Sequence, residues 1–215
     1  MRGLSLEKLR ESYAARKSDI KSRLAEFDRV FDESDDRVFA ELAFCLCTPQ
    51  SKATQCWKAV DSLVRNNLLY RGTQQQIKPF LNAVRFNENK SGYIVEARGK
   101  FTDNGRIVIK ERLKSLGEPE EMRAWLIQNV KGLGPKEASH FLRNIGFGSS
   151  LAILDSHIMK NLVKFGVIDE MPKSLTGRKY FEIEQKMKEF ADEIGIPFAE
   201  LDLLLWSEET GMIFK

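Results

Sequence analysis

The chain has 215 residues, 42% of them apolar, enough to bury a sizeable core in one large or two small domains. No apolar run approaches the roughly 18–20 residues that cross a bilayer, and Met1-Arg2-Gly3-Leu4-Ser5 lacks the apolar stretch of a secretion signal, so membrane-protein classes are excluded and an intracellular setting, cytoplasm or nucleoid, is expected. The net charge of +3 is uneven: −1 over residues 1–50, +6 over 51–130, +4 over 131–179 and −6 over 180–215, a basic middle that suits a nucleic-acid face, although solvated helix surfaces can supply part of it.

Leu6, Leu9, Tyr13, Ile20, Leu24, Phe27 and Phe31 recur at roughly heptad spacing and predict a first helix over about residues 5–32. Ser34 can cap a second helix carrying Val38, Phe39, Leu42, Ala43 and Leu46, which Thr48-Pro49-Gln50-Ser51 breaks. Ser51 can cap the next, with Ala53, Trp57, Val60 and Val64 inward. Cys45, Cys47 and Cys56 form an odd set on apolar faces; their spacing fits neither a zinc site nor a four-cysteine cluster, so buried free thiols and no metal are expected. Thr73 opens a helix with Ile77, Phe80, Leu81 and Val84. The polar break 85–90 holds one aromatic, Phe86, which either packs at a helix boundary or stacks on a base. A helix with Ile94 and Ala97 follows, then a turn over 101–105, and a helix with Ile109, Leu113 and Leu116 ends at Gly117.

The rest of the chain is organised around Val130-Lys131-Gly132-Leu133-Gly134-Pro135-Lys136. Met122, Trp125 and Leu126 upstream, and Ala138, Phe141, Leu142 and Ile145 downstream, predict two amphipathic helices joined by a tight hairpin. Gly132 and Gly134 permit positive φ and close approach, Pro135 suits a first helical position, and outward amides at a helix start form an anion site. Gly146 ends the second helix. The run 151–154 leads to Asp155, ahead of a helix carrying Ile158, Leu162 and Phe165 that stops near Gly166. Tyr180, Ile183, Met187, Phe190 and Ile194 mark a long helix ending at Gly195, and Pro197 opens the last, with Leu201, Leu204 and Leu205 inward. No segment shows sustained period-two alternation, so the expected fold is all-α, about ten helices and no sheet.

A lysine at a hairpin–helix junction, followed nineteen residues later by an aspartate at the next helix start in Leu154-Asp155-Ser156-His157, resembles the helix-hairpin-helix DNA glycosylase superfamily. Lys136-Glu-Ala-Ser-His-Phe-Leu-Arg-Asn-Ile-Gly146, with Ala152-Ile-Leu-Asp155 and the end Thr210-Gly211 to Lys215, is similar to the type 2 8-oxoguanine DNA glycosylase/lyases. The resemblance covers most of the chain from about Val38. It implies one unit, residues 1–215, made of two helical lobes with the hairpin motif 119–146 between them, acting as a monomer and without a cofactor on double-stranded DNA containing 8-oxoguanine.

The chemistry implied is base flipping, departure of the base with Asp155 stabilising positive charge on the sugar, capture of C1′ by a neutral Lys136 as a Schiff base, and β-elimination of the strand. Singly, such a lysine is ordinarily a solvated charge and such an aspartate an N-cap. Burial and the helix N-terminus would disfavour the Lys136 ammonium, whereas a nearby Asp155 would favour it. The resemblance further implies that Lys131, Gly132 and Gly134 hold the DNA backbone. It gives His157 a phosphate contact, a core histidine being the alternative. It also implies that Lys215 and Trp206 contribute to the lesion pocket, a tail and a core tryptophan being the plain alternatives. Asp202, one turn before Trp206, can accept an N–H from the purine edge. Gln50 enters the duplex where the flipped nucleotide stood, or is merely an interhelical turn. Thr48-Pro49-Gln50-Ser51 departs from the Thr-Ala-Asn type of loop associated with some members, which bears on the opposite-base contact. The rival functions are a glycosylase/lyase for another oxidised base and a non-catalytic DNA-binding module.

Overall fold

The computed structural model describes the backbone of residues 2–214 and the side chains of residues 6–214. Among these residues the chain forms twelve α-helices: α1 (Arg2–Val30), α2 (Asp35–Cys47), α3 (Ala53–Arg65), α4 (Leu68–Arg71), α5 (Gln74–Ile77), α6 (Asn87–Lys100), α7 (Ile109–Lys114), α8 (Pro119–Asn129), α9 (Pro135–Asn144), α10 (Ser156–Lys164), α11 (Gly177–Ile194) and α12 (Phe198–Thr210). The expectation of no sheet does not hold. Thr102–Asp103 (β1) pairs antiparallel with Arg106–Ile107 (β2) around Asn104 and Gly105, both at positive φ. Two-residue strands are too short to leave an alternating pattern; the turn signal was the hairpin's only trace in the sequence.

Local chemistry explains most boundaries. Ser34 caps α2 by accepting the amide of Arg37, and Thr176 caps α11 through Lys179. The helix expected from Thr73 to Val84 is instead one α-turn, α5, closed by a Thr73–Gln76 capping box, followed by a 3₁₀ turn over Lys78–Leu81. Pro79 has no amide to donate, so an α-helix cannot run through it. α6 begins earlier than expected, inside the polar break at Asn87. Nor does Ser51 cap α3, whose N-cap is Lys52 without a side-chain bond; the Ser51 hydroxyl accepts the amide of Arg85 at 3.0 Å instead.

Two hydrophobic clusters hold the chain. The first unites α2, α3, α6 and α7 with Leu126 of α8 and Ala138, Phe141 and Leu142 of α9. The second joins Leu9, Ile20 and Phe27 of α1 to α10, α11 and α12. Burial of each such leucine, isoleucine or phenylalanine stabilises by about 1.5–3 kcal/mol. In α12 Leu203 is buried along with Leu201, Leu204 and Leu205, so this helix is enclosed on all sides rather than on one face. Cys45, Cys47 and Cys56 are buried free thiols in the first cluster. Burial pushes the Cys56 thiol up to about 11 and Cys47 higher still, which keeps both protonated as packing groups.

α9 lies against both clusters. Its apolar face belongs to the first, and its polar residues Ser139, His140, Arg143 and Asn144 are buried too. Those polar groups reach across: Arg143 pairs with Asp202 of α12 at 3.1 Å and Asn144 donates to Glu41 of α2 at 3.0 Å. From α8, Arg123 grips Glu184 of α11 bidentately at 2.6 and 2.9 Å. Glu184 also accepts the amide of Ala152, so the segment leading to Asp155 is tied to the same pair.

Candidate active site

The hairpin begins where α8 ends at Val130. Leu133 donates its amide to Val130, and Gly132 turns the chain at φ 93°. A Cβ there would lie 2.5 Å from the ring of Tyr93 on α6, so both backbone sign and space require glycine. Gly134 differs from expectation: at φ −98° it is extended, and its amide is taken by Glu137 at 3.3 Å rather than turned outward. Lys131 is exposed, with its ammonium 5.7 Å from the Tyr93 ring centroid.

α9 then carries Lys136 into a cleft of about 760 Å³, whose far side is the 153–158 segment and α12. Lys136 is one-quarter exposed and forms an ion pair with Glu137 at 3.0 Å, a partner that the sequence reading did not include. Asp155 lines the same cleft. Its Oδ1 accepts the amides of His157 (2.8 Å) and Ile158 (2.9 Å), which caps α10 and leaves the second oxygen outside that cap. The N-cap role and a place in the cleft therefore coexist in one side chain.

Four other expected residues share this cleft: Gln50, His157, Asp202 and Trp206. Gln50 is exposed at the tip of its loop at φ 54°. The His157 ring meets Trp206 edge-on at 6.3 Å, and its buried Nδ1 makes no hydrogen bond among the described residues. Asp202 is 6% exposed, with Oδ2 on Arg143 and the Ile153 backbone beside its carboxylate. Burial pushes its pKa up to about 6, against the pull of the Arg143 guanidinium and helped by the nearby Asp155. Outside the cleft lie Lys131, Gly132, Gly134 and Phe86. Phe86 is 53% exposed, with the Arg85 guanidinium 5.6 Å from its ring centroid, so the reading as a core aromatic is corrected. Its positive φ of 59° directs the chain into α6 and leaves the ring out. Lys215 lies outside the described residues.

Sequence reasoning overlooked Arg143, whose guanidinium holds Asp202 at the cleft wall, and Lys90, buried behind the Gln50 loop. An arginine one position after Phe141-Leu142, on a helix whose apolar face is buried, was the available sign of the first; nothing local marked the second. Among the described residues no group of three or more His, Cys, Asp or Glu side chains is arranged to hold a metal ion.

A mostly helical fold that brings a hairpin-borne lysine and a helix-capping aspartate to one cleft defines the helix-hairpin-helix DNA glycosylase class. A family model described as 8-oxoguanine DNA glycosylase matches residues 20–196, and the chain belongs to that family. The 8-oxoguanine DNA glycosylase/AP lyase of Fusobacterium nucleatum is 47% identical over 204 residues, 94% of each chain. The protein of that name from Methanocaldococcus jannaschii is 35% identical over 199 residues, 93% of each. The crystal structure of the M. jannaschii glycosylase/lyase in complex with a 15mer DNA containing 8-oxoguanine superposes with a TM-score of 0.86 at 32% identity, covering 99% of this chain and all of that one.

Proposed function

We propose that this chain removes 8-oxoguanine from double-stranded DNA and then cleaves the abasic strand, with Lys136 and Asp155 carrying the chemistry. The observation that supports this most directly is that the two side chains, nineteen residues apart, line one cleft beside the hairpin turn. A base stacked in a duplex offers no access to its C1′, so the nucleotide must be rotated out, at a cost of a few kcal/mol. Lys131 and the turn at Gly132 and Gly134 hold the phosphates, the Gly134 amide becoming available only where a phosphate displaces Glu137 from it, His157 contacts the backbone from the α10 side, and Gln50 occupies the vacated stack.

As the N-glycosidic bond breaks, its electron pair leaves with the base and positive charge grows on the sugar. The Asp155 carboxylate stabilises that charge from a fixed position, because the cap holds it by two amides. The neutral Lys136 amine forms the new bond to C1′, and the sugar ring opens to a Schiff base. Loss of a C2′ proton then breaks the C3′–oxygen bond and releases the strand. Glu137, 3.0 Å from the lysine nitrogen, is placed to take the proton that Lys136 must shed.

Trp206 supplies an aromatic surface for the extruded purine, and the Asp202 carboxylate, lining the same cleft, suits a purine N–H edge. Phe86 and Lys215 are read as further lesion contacts. The two hydrophobic clusters are read as two lobes of one unit spanning residues 1–215, with the hairpin motif 119–146 between them, working as a monomer in the compartment that holds the DNA.

Borohydride trapping on a labelled duplex containing 8-oxoguanine tests this reading. Wild type forms a covalent adduct and nicks the strand, and Lys136→Gln forms none. Base release without an adduct in the wild type would replace the lyase with a monofunctional enzyme. Tight binding without release would replace the enzyme with a DNA-gripping module.

A further inference from the structure

Lys90 is 3% exposed on α6, yet among the described residues no carboxylate pairs with it. Its ammonium makes three contacts, all to the segment that carries Gln50: the carbonyls of Cys47 (2.7 Å) and Pro49 (2.6 Å) and the hydroxyl of Ser51 (3.2 Å). Three donors thus meet three loop oxygens. Ser51 in turn accepts the amide of Arg85, so the same contact joins the Gln50 loop to the step that turns Phe86 outward. Burial lowers the pKa of this ammonium and Lys136 acts in the same direction, while Glu137, beyond ion-pair distance, pulls the other way. A buried cation without an ionic partner is costly for stability, and an apolar side chain of similar length would serve packing better. What the charge supplies instead is a direction for each of the three oxygens. With the Cys47 and Pro49 carbonyls drawn inward, Gln50 is held at its left-handed φ with its side chain exposed at the cleft, a conformation non-glycine residues seldom keep unaided.

We propose that Lys90 is a positioning residue for duplex opening: by holding the loop oxygens of Cys47, Pro49 and Ser51 it presents Gln50 for insertion, and it does not touch the reacting sugar. This rests on the reading of Gln50 as the inserted residue. It separates two activities that Lys136 serves alike. Excision of 8-oxoguanine from a duplex needs insertion, whereas cleavage of an abasic site in single-stranded DNA needs only the lysine and its carboxylates.

The test measures single-turnover rates on both substrates for wild type, Lys90→Met, Ser51→Ala, Gln50→Ala and the Gln50→Ala/Lys90→Met pair. The expected result is a loss of about tenfold or more in duplex excision for Lys90→Met, with single-strand cleavage within about threefold of wild type. Ser51→Ala, which removes one acceptor, shows the same split to a smaller degree. The double variant is no slower on duplex than the slower of its two parents, because both changes disable one device. Equal losses on the two substrates overturn the proposal in favour of general destabilisation, and unchanged duplex excision overturns it outright. If Lys90→Met does not fold, the presence or absence of the split in Ser51→Ala decides. A wild type inactive on both substrates overturns the functional reading and this proposal with it, whereas an active wild type with no split in the variants overturns the proposal alone.

Discussion

Asp155 carries two duties that one substitution can separate. As an N-cap it supplies an oxygen to the amides of His157 and Ile158, a service asparagine performs about as well. As a carboxylate in the cleft it supplies charge, which asparagine does not. Asp155→Asn is therefore expected to keep the unfolding free energy within about 1 kcal/mol of wild type while excision falls on the order of 100-fold or more, read by urea titration beside single-turnover kinetics. A matched loss of stability and rate would make the residue a cap only. Lys136 presents the complementary case. Glu137, its own neighbour, is its observed ion-pair partner, and a pairing between adjacent residues depends on rotamers that the periodicity of α9 does not specify.

The hairpin is the element whose shape depends most on a single atom. Gly132 at φ 93° sits against the Tyr93 ring, so the α8–α9 turn is shaped by α6, an element from 32 to 45 residues upstream. Gly132→Ala meets two penalties, a left-handed backbone and a methyl driven into an aromatic ring. The expected cost is about 1–3 kcal/mol in urea unfolding. The displaced turn also weakens binding of undamaged duplex and flattens the salt dependence of that binding, since fewer phosphates are held. Unchanged duplex affinity and salt slope in a folded Gly132→Ala would remove the hairpin from the DNA contact. α10 and α11 stand at the other extreme: each has its cap and its stop within its own segment, at Asp155 and Gly166 and at Thr176 and Gly195.

At the scale of the whole molecule, buried ion pairs connect elements packed in the two hydrophobic clusters. Arg123 and Glu184 are 5% and 6% exposed in their side chains, and Glu184 also anchors the strand-like approach to Asp155 through Ala152. Breaking such a pair from one side strands a buried charge. Arg123→Met should cost about 3–5 kcal/mol in urea unfolding, while Arg123→Met combined with Glu184→Leu should cost much less, since no charge is then left alone. The double variant is also expected to excise more slowly than its stability explains, because the amide of Ala152 loses its acceptor and the approach to Asp155 loosens.

Helix periods, caps and stops are short-range properties, and they were readable in order along the chain: Ser34, Thr73 and the glycines at 166 and 195 mark ends that the structure keeps. The pairing of a hairpin lysine with an aspartate nineteen residues on was readable for the same reason, since hairpin, helix and cap each lie within a few residues of their signals. The tertiary structure alone decided which polar groups are buried and what they hold. Lys90 lies in a stretch that reads as a solvated break, and it is buried because loop oxygens 39 to 43 residues upstream converge on its ammonium. Ser51 looked like a cap and became a tie to Arg85, Phe86 looked like core and stands in solvent, and burial pushes the Asp202 pKa up to about 6 against the pull of Arg143, which α9 brings to it. A periodic pattern reports which face of an element is apolar, whereas the partner of a buried charge is set by the distance between elements, and that exists only once the chain has packed.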